Sequence, residues 1–106
     1  GQNLIFGEKP GSVDDHTCNL FRESMVLFGG FRNGVRSNQL SKFSFKLNAW
    51  TIIQPKGEKI PEPRAGHVSA VYTNKLVVFG GTNERNQRMN DTWLFNFDSL
   101  EWTCLN

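Results

Sequence analysis

Two histidines, two cysteines and a group of arginines are the side chains of this 106-residue sequence whose chemistry could carry a function. Histidine titrates near neutrality and ligates metals, so His16 and His67 are the first candidates for a general base or a metal centre. Their sequence neighbours do not develop that chemistry. Neither has a second His, a Cys or a paired carboxylate at ligand spacing, except for Asp14-Asp15-His16, which reads as a turn. Both read as structural histidines. Cys18 and Cys104 are far apart and belong to no CxxC or Cys/His cluster, so no zinc site is expected. They read as buried small hydrophobes in a reducing compartment. No Ser/His/Asp order, Gly-rich phosphate loop or metal spacing occurs. The expectation is no enzyme, no catalytic residue, no metal and no cofactor.

The arginines are more informative. Arg32 and Arg36 lie in one polar segment, 31–37, and Arg85 and Arg88 in another, 82–89; Glu84 alone offsets them. Arg64 closes a third segment, 54–64. A guanidinium is a planar fork suited to carboxylates and phosphates. Phe31, next to Arg32, could serve as an aromatic anchor. The candidate partner-binding set is Phe31, Arg32, Asn33, Arg36, Arg64, Arg85, Asn86 and Arg88, and the partner it suits is another protein or an acidic peptide.

The net charge of +2 is low for a nucleic-acid-binding domain. No apolar run approaches the ~20 residues that span a bilayer, and no basic stretch with an apolar follow-on opens the chain. The expectations are no nucleic acid, no membrane, and an intracellular site, cytoplasmic or nuclear. With 38% apolar residues, nine Phe and three Trp, the chain can build a packed core.

The elements that must position these side chains follow from an internal repeat. Phe28-Gly29-Gly30 recurs 51 residues on as Phe79-Gly80-Gly81, and His16 as His67. Trp50 recurs 52 residues on as Trp102, and Phe43 and Phe45 as Phe95 and Phe97. The extra residue must lie in 31–37 and 82–89, which look like loops. Met25-Val26-Leu27-Phe28 and Leu76-Val77-Val78-Phe79 are short apolar runs ending in Gly-Gly, as buried strands are. Phe43-Ser44-Phe45 and Phe95-Asn96-Phe97 alternate with period two. Trp50-Thr51-Ile52-Ile53 and Trp102-Thr103-Cys104-Leu105 supply a fourth strand, and 67–72 a first. Four strands per unit of about 50 residues make one propeller blade. Leu4-Ile5-Phe6 matches Thr51-Ile52-Ile53 and reads as the last strand of a further unit.

These residues resemble the Kelch repeat. The double glycine is followed by an aromatic, Phe43 or Phe95, with six residues between it and Trp50 or Trp102. Pro61-Glu62-Pro63-Arg64-Ala65-Gly66-His67 is similar to the family's P-x-P-R-x-G-H lead-in. Asn90-Asp91-Thr92-Trp93 is similar to its N-D-x-[WY], which accounts for the glycosylation-like sequon there. The first copy departs from the pattern, with Val13-Asp14-Asp15-His16 where Arg-Ala-Gly-His would stand. The resemblance implies an all-β, Kelch-type β-propeller: two four-stranded antiparallel blades plus one extra N-terminal strand, an incomplete ring. Residues 1–15 would hold the last strand of a preceding blade and a linker, 16–54 the first repeat and 67–106 the second. The resemblance also implies a protein-interaction module within a larger protein, using Arg residues on one loop face to bind acidic peptides. In such a blade 31–37, 82–89 and 54–64 share that face.

Two blades cannot close a ring of four to eight. The chain is therefore expected either to be part of something longer or to self-associate to complete a propeller. A self-assembling scaffold, as in actin-associated relatives of this fold, is the alternative function. A fragment of an enzyme similar to galactose oxidase is the third and weakest, because the copper-ligand clustering of Tyr, Cys and His is missing and Tyr72 is the only tyrosine.

Overall fold

The computed structural model describes residues 16–106, together with the backbone of Phe6–Gly7 and Val13–Asp14. In chain order the strands are β1 (Phe6–Gly7), β2 (Val13–Asp14), β3 (Thr17–Phe21), β4 (Ser24–Phe28), β5 (Phe31–Arg32), β6 (Val35–Arg36), β7 (Leu40–Ser44), β8 (Ala49–Ile53), β9 (Val68–Tyr72), β10 (Lys75–Thr82), β11 (Arg88–Asn96) and β12 (Glu101–Cys104). Helix is absent among the described residues.

Eight of the strands group four to a sheet; β1 joins the first of these sheets as a fifth strand, and β2, β5 and β6 form a small third sheet. β3, β4, β7 and β8 form one antiparallel meander, and β9, β10, β11 and β12 form the other. These are the two expected blades. β1 is the extra N-terminal strand, but it joins the first blade's own sheet as a fifth strand rather than standing in a preceding blade: it lies parallel to β8, pairing Phe6 with Ala49 and Gly7 with Trp50. The segment 4–6, matched in sequence to Thr51-Ile52-Ile53, overlaps the described residues only at Phe6.

The sheets pack face to face because each strand alternates with period two. Val26, Phe28 and Leu40 of the first sheet meet Leu76, Val78, Phe95 and Trp102 of the second in one buried cluster. Each such side chain removed from water contributes about 1.5–3 kcal/mol. Rings carry much of the contact. Phe28 lies against Trp102 at 5.1 Å between centroids, and Phe95 against Trp102 at 5.1 Å. The first strands of the two sheets also touch, where Asn19 Nδ2 donates to Ser69 Oγ at 2.8 Å.

Several expectations are corrected. The segment 31–37 is not a loop, and 82–89 is one only across 83–87, between the strand ends Thr82 and Arg88. The first is a tight hairpin of β5 and β6 turning at Asn33-Gly34, with φ of 53° and 82°, the left-handed pair that a two-residue hairpin of the primed kind requires. The second is the prolonged end of the β10–β11 ribbon, which continues past an irregularity between Phe79 and Gly81 to pair Thr82 with Arg88. Phe45 and Phe97 lie beyond the strand ends. Phe45 is exposed, and Phe97 stacks on Phe21 at 3.9 Å between ring centroids. Cys18 is exposed rather than buried, since alternation along β3 turns it away from the second sheet; Cys104 is half-buried. The linker does not stay at the loop end. Lys56 bridges in parallel to Glu101 beside the outer strand β12 before the chain returns to Arg64.

Candidate partner-binding face

The segment leading into the second blade is threaded between the two hairpins. Ala65 and Thr82 exchange backbone hydrogen bonds of 3.1 and 2.9 Å. On its other side Gly30 N donates to Arg64 O at 2.8 Å, and Arg64 N to Ser37 O at 3.0 Å. β2 pairs in the same way with β5 at the first blade, joining Val13 to Arg32 and Asp14 to Phe31. Both hairpins thus stand side by side at one end of the sheets.

Arg36 ties them together. Its Nη2 donates to Thr82 Oγ1 at 3.1 Å and to Asn86 Oδ1 at 2.8 Å, and its guanidinium carbon lies 4.7 Å from the centre of the Phe31 ring. Asn83 fixes the neighbouring turn, its Oδ1 accepting from the backbone N of Arg85 and of Gln87. Asn86 holds a left-handed backbone, φ 58°, which presents its side chain to Arg36. Phe31, Arg32, Asn33, Arg36, Arg85 and Asn86 therefore belong to one rim, with Phe31, Arg32 and Arg36 half-buried and the others exposed. A cleft of about 230 Å³ opens beside Arg85, walled also by Glu62, Pro63, Asn83, Glu84 and Gln87.

Two candidates stand elsewhere. Arg88 is exposed but lines a groove on the outer side of the second sheet, beside Val68 and Phe79. Arg64 has no exposed surface. Its Nη1 and Nη2 reach Asp91 Oδ1 and Oδ2 at 2.8 and 3.0 Å, Nη1 also donates to Gly80 O, and Nε donates to Glu62 O. Every arm of the guanidinium is engaged inside the molecule, so Arg64 is a structural clamp with nothing left for a partner. The Arg64 pairing holds the Asp91 carboxyl below its ordinary range, with Trp93 Nε1 donating a further bond.

Asp91 is the residue that sequence reasoning undervalued. Its counterpart in the first repeat is Gln39, and that of Arg64 is Val13. Trp93 is matched by Ser41, which Gln39 contacts at 3.4 Å. The whole Arg–Asp–Trp network is exchanged as a unit, and the concerted change was the readable signal.

His67 is buried between the sheets. Its Nε2 lies 3.0 Å from Phe28 O and 3.0 Å from Thr17 Oγ1. The carbonyl can only accept, so Nε2 carries the proton, and buried Nδ1 has no partner. Burial pushes the pKa down to about 4; the Phe28 bond partly opposes this, and Arg64 and His16 add to it. His67 is thus a neutral structural histidine. Among the described residues no three His, Cys, Asp or Glu side chains gather as a metal site would need, and no helix is long and apolar enough to cross a membrane.

Comparison with known proteins agrees with this geometry. The family model of the KLHDC2/KLHL20/DRC7 Kelch-repeats domain matches residues 3–106. The chain is 36% identical to the flagellar outer-arm dynein alpha chain of Chlamydomonas reinhardtii over 93% of its own length and 2% of that protein's. It is 32% identical to an F-box/kelch-repeat protein of Arabidopsis thaliana, covering 86% of this chain and 20% of the relative. It is 30% identical to Kelch domain-containing protein 2 of Bos taurus, covering 93% and 30%. The chain spans less than a third of the length of each of these relatives. With its double glycines, its ring-filled sheet contact and its four-stranded units all in register with that family, the chain belongs to the Kelch-repeat proteins.

Proposed function

We propose that this chain is a protein-interaction unit that receives an acidic segment of a partner protein on the rim formed by the two hairpins. The observation that carries the reading is the Arg36 bridge. It locks the β5–β6 hairpin of one blade, which carries Arg32, to the β10–β11 ribbon of the next, which carries Arg85, and holds the Arg36 guanidinium over Phe31. Fixed cations lose little entropy on meeting a carboxylate, and an aromatic beside them adds apolar contact. Glu62 and Glu84 beside Arg85 restrict which acidic segments fit, since a misplaced carboxylate would meet like charge. Participation as an adaptor within a longer protein is in keeping with relatives such as the F-box/kelch-repeat protein. No catalytic step is assigned.

The test is titration of the chain against an array of labelled synthetic peptides graded in acidic content. Acidic peptides should bind best, with affinity falling as salt rises. Arg32→Glu together with Arg85→Glu should weaken binding by at least about tenfold, a loss of ~1.4 kcal/mol. Unchanged affinity in that variant removes the rim from consideration.

A further inference from the structure

The space between the two sheets is not filled to its edge. At the end away from the hairpin rim it opens into a cleft of about 400 Å³, within the ~300–1,000 Å³ usual for small-molecule sites. Two bridges between the sheets bound it. One is the stack of Phe21 on Phe97, 3.9 Å between ring centroids. The other is the chain leaving β8 through Gln54, which crosses to the second blade, where Lys56 N donates to Leu100 O at 2.7 Å. Between these bridges Val26 and Ile53 face Leu100 as apolar walls. All the walls come from the two sheets and the segment joining them.

Lys42 is the charge that this apolar setting does not explain. It pairs with buried Val26 on one side and with Thr51 on the other. Such cross-strand partners share a face, and all three line the cleft. In the second repeat the same position holds Leu94, so the blade itself has no need of a cation there. No hydrogen bond or ion pair engages the Lys42 ammonium among the described residues. Arg22 also lines the cleft. It gives one nitrogen to Asp98 at 3.0 Å and sets its guanidinium carbon 4.5 Å from the centre of the Phe21 ring. No carboxylate lines the cleft.

We infer that this cleft binds a small monocarboxylate with an apolar body, its carboxylate meeting Lys42 and its body lying against Val26, Ile53 and Leu100. Burying the body removes apolar surface from water. The ammonium offsets the cost of partly desolvating the carboxylate, which an apolar wall alone would not. A cation of the same shape would meet Lys42 and Arg22 as like charges. The bridged volume suits a free small molecule rather than a polypeptide segment, which needs an open groove or a free strand edge to run along. The rim lies at the other end of the sheets, so this site stands or falls independently of the peptide reading.

Octanoate is the probe, with octylammonium as its counterpart of opposite charge. Titrated into the isotopically labelled chain, octanoate should shift the amide resonances of Lys42, Thr51 and Leu100 with half-saturation below about 1 mM, and leave those of Arg85 and Asn86 in place. Octylammonium should bind at least about tenfold more weakly. Lys42→Leu, which restores the residue type of the second repeat at an exposed position, should lower the affinity for octanoate by about fivefold or more and narrow the gap between the two ions. Arg32→Glu together with Arg85→Glu should leave octanoate binding as it is. Four results overturn the proposal: no saturable shift at the cleft; equal affinity for the two ions in the native chain; shifts at Arg85 and Asn86 in place of Lys42 and Leu100, which would put the anion on the rim; or unchanged octanoate affinity in a Lys42→Leu chain whose circular dichroism is native.

Discussion

The Cβ that Gly29 lacks would stand 2.6 Å from Cε1 of His67, so the glycine of one sheet and the imidazole of the next are fitted to each other. Gly29 also has φ of +68°. Two separate demands, backbone and contact, meet at one residue.

Gly29→Ala should therefore cost more than a left-handed turn alone. The left-handed backbone contributes ~1 kcal/mol, and forcing a methyl into the imidazole adds about 1–3 kcal/mol. Gly34→Ala, at φ +82° with no heavy atom within 4 Å of the added Cβ, should show only the backbone cost. Urea denaturation of both variants measures the gap. In the double variant Gly29→Ala, His67→Ala, the loss should be smaller than the sum of the singles. Strict additivity would mean that the close approach carries no energy.

The clamp of Arg64 on Asp91 leads to a second expectation. Arg64→Met leaves Asp91 without its partner and Gly80 O without a donor, and should lower stability by about 3 kcal/mol. Gln39→Ala, at the Asp91 counterpart, should change stability by less than ~1 kcal/mol. Thermal denaturation of the two variants at equal protein concentration decides the matter. Equal effects would show the clamp to be dispensable.

His67 sets a pH dependence. Its pKa is about 4 in the fold, against about 6.5 in the unfolded chain. The unfolded chain binds the proton first as pH falls, so the neutral histidine's contribution is complete above pH ~6.5 and is lost on the way down to the folded value. Asp91, whose carboxyl is held low by Arg64, adds a second loss in more acid solution, as its folded pKa is passed. Denaturant midpoints measured from neutral pH downward should fall through the first window in the native chain and much less in His67→Gln. A variant with the same pH profile as the native chain would show that His67 is not the group responsible.

The two repeat tryptophans should respond differently to truncation. Trp102 is buried among Phe28, Trp93 and Phe95, and Trp102→Ala should cost ~3–5 kcal/mol. Trp50 is half-buried, so Trp50→Ala should cost the chain clearly less. Iodide should quench the emission of Trp50 more than that of Trp102. Equal costs for the two truncations would contradict the placement of the core.

Much of the fold was legible because the repeat is a physical unit. Phe28-Gly29-Gly30 marks a strand end and its copy Phe79-Gly80-Gly81 an irregularity inside β10, both where the backbone takes positive φ, and the rings mark the faces that meet. The strands fall at the two offsets read from the sequence, 51 for the first pair of each blade and 52 for the second. Less legible was the state of 31–37 and 82–89. Their Gly, Asn and Arg content signals a turn but not that the flanking residues pair, since pairing there depends on the segment threaded between them. Cys18 was misjudged because burial of a small side chain depends on which face of its strand a neighbour covers. On the loop face, residue type located the arginines but not their partners. Arg64 and Arg36 look alike in sequence; one is sealed inside by an aspartate 27 residues away, the other bridges two hairpins.

The missing clamp in the first repeat gives the molecule a direction in which it comes apart. The second blade is held by a guanidinium that fastens its own lead-in to Asp91 and Gly80. The first has Gln39 and Ser41 where that fastening would attach. Amide protons of β7 and β8 should exchange with solvent sooner than those of β10 and β11, and a protease should cut the amino-terminal blade while its neighbour still holds its shape.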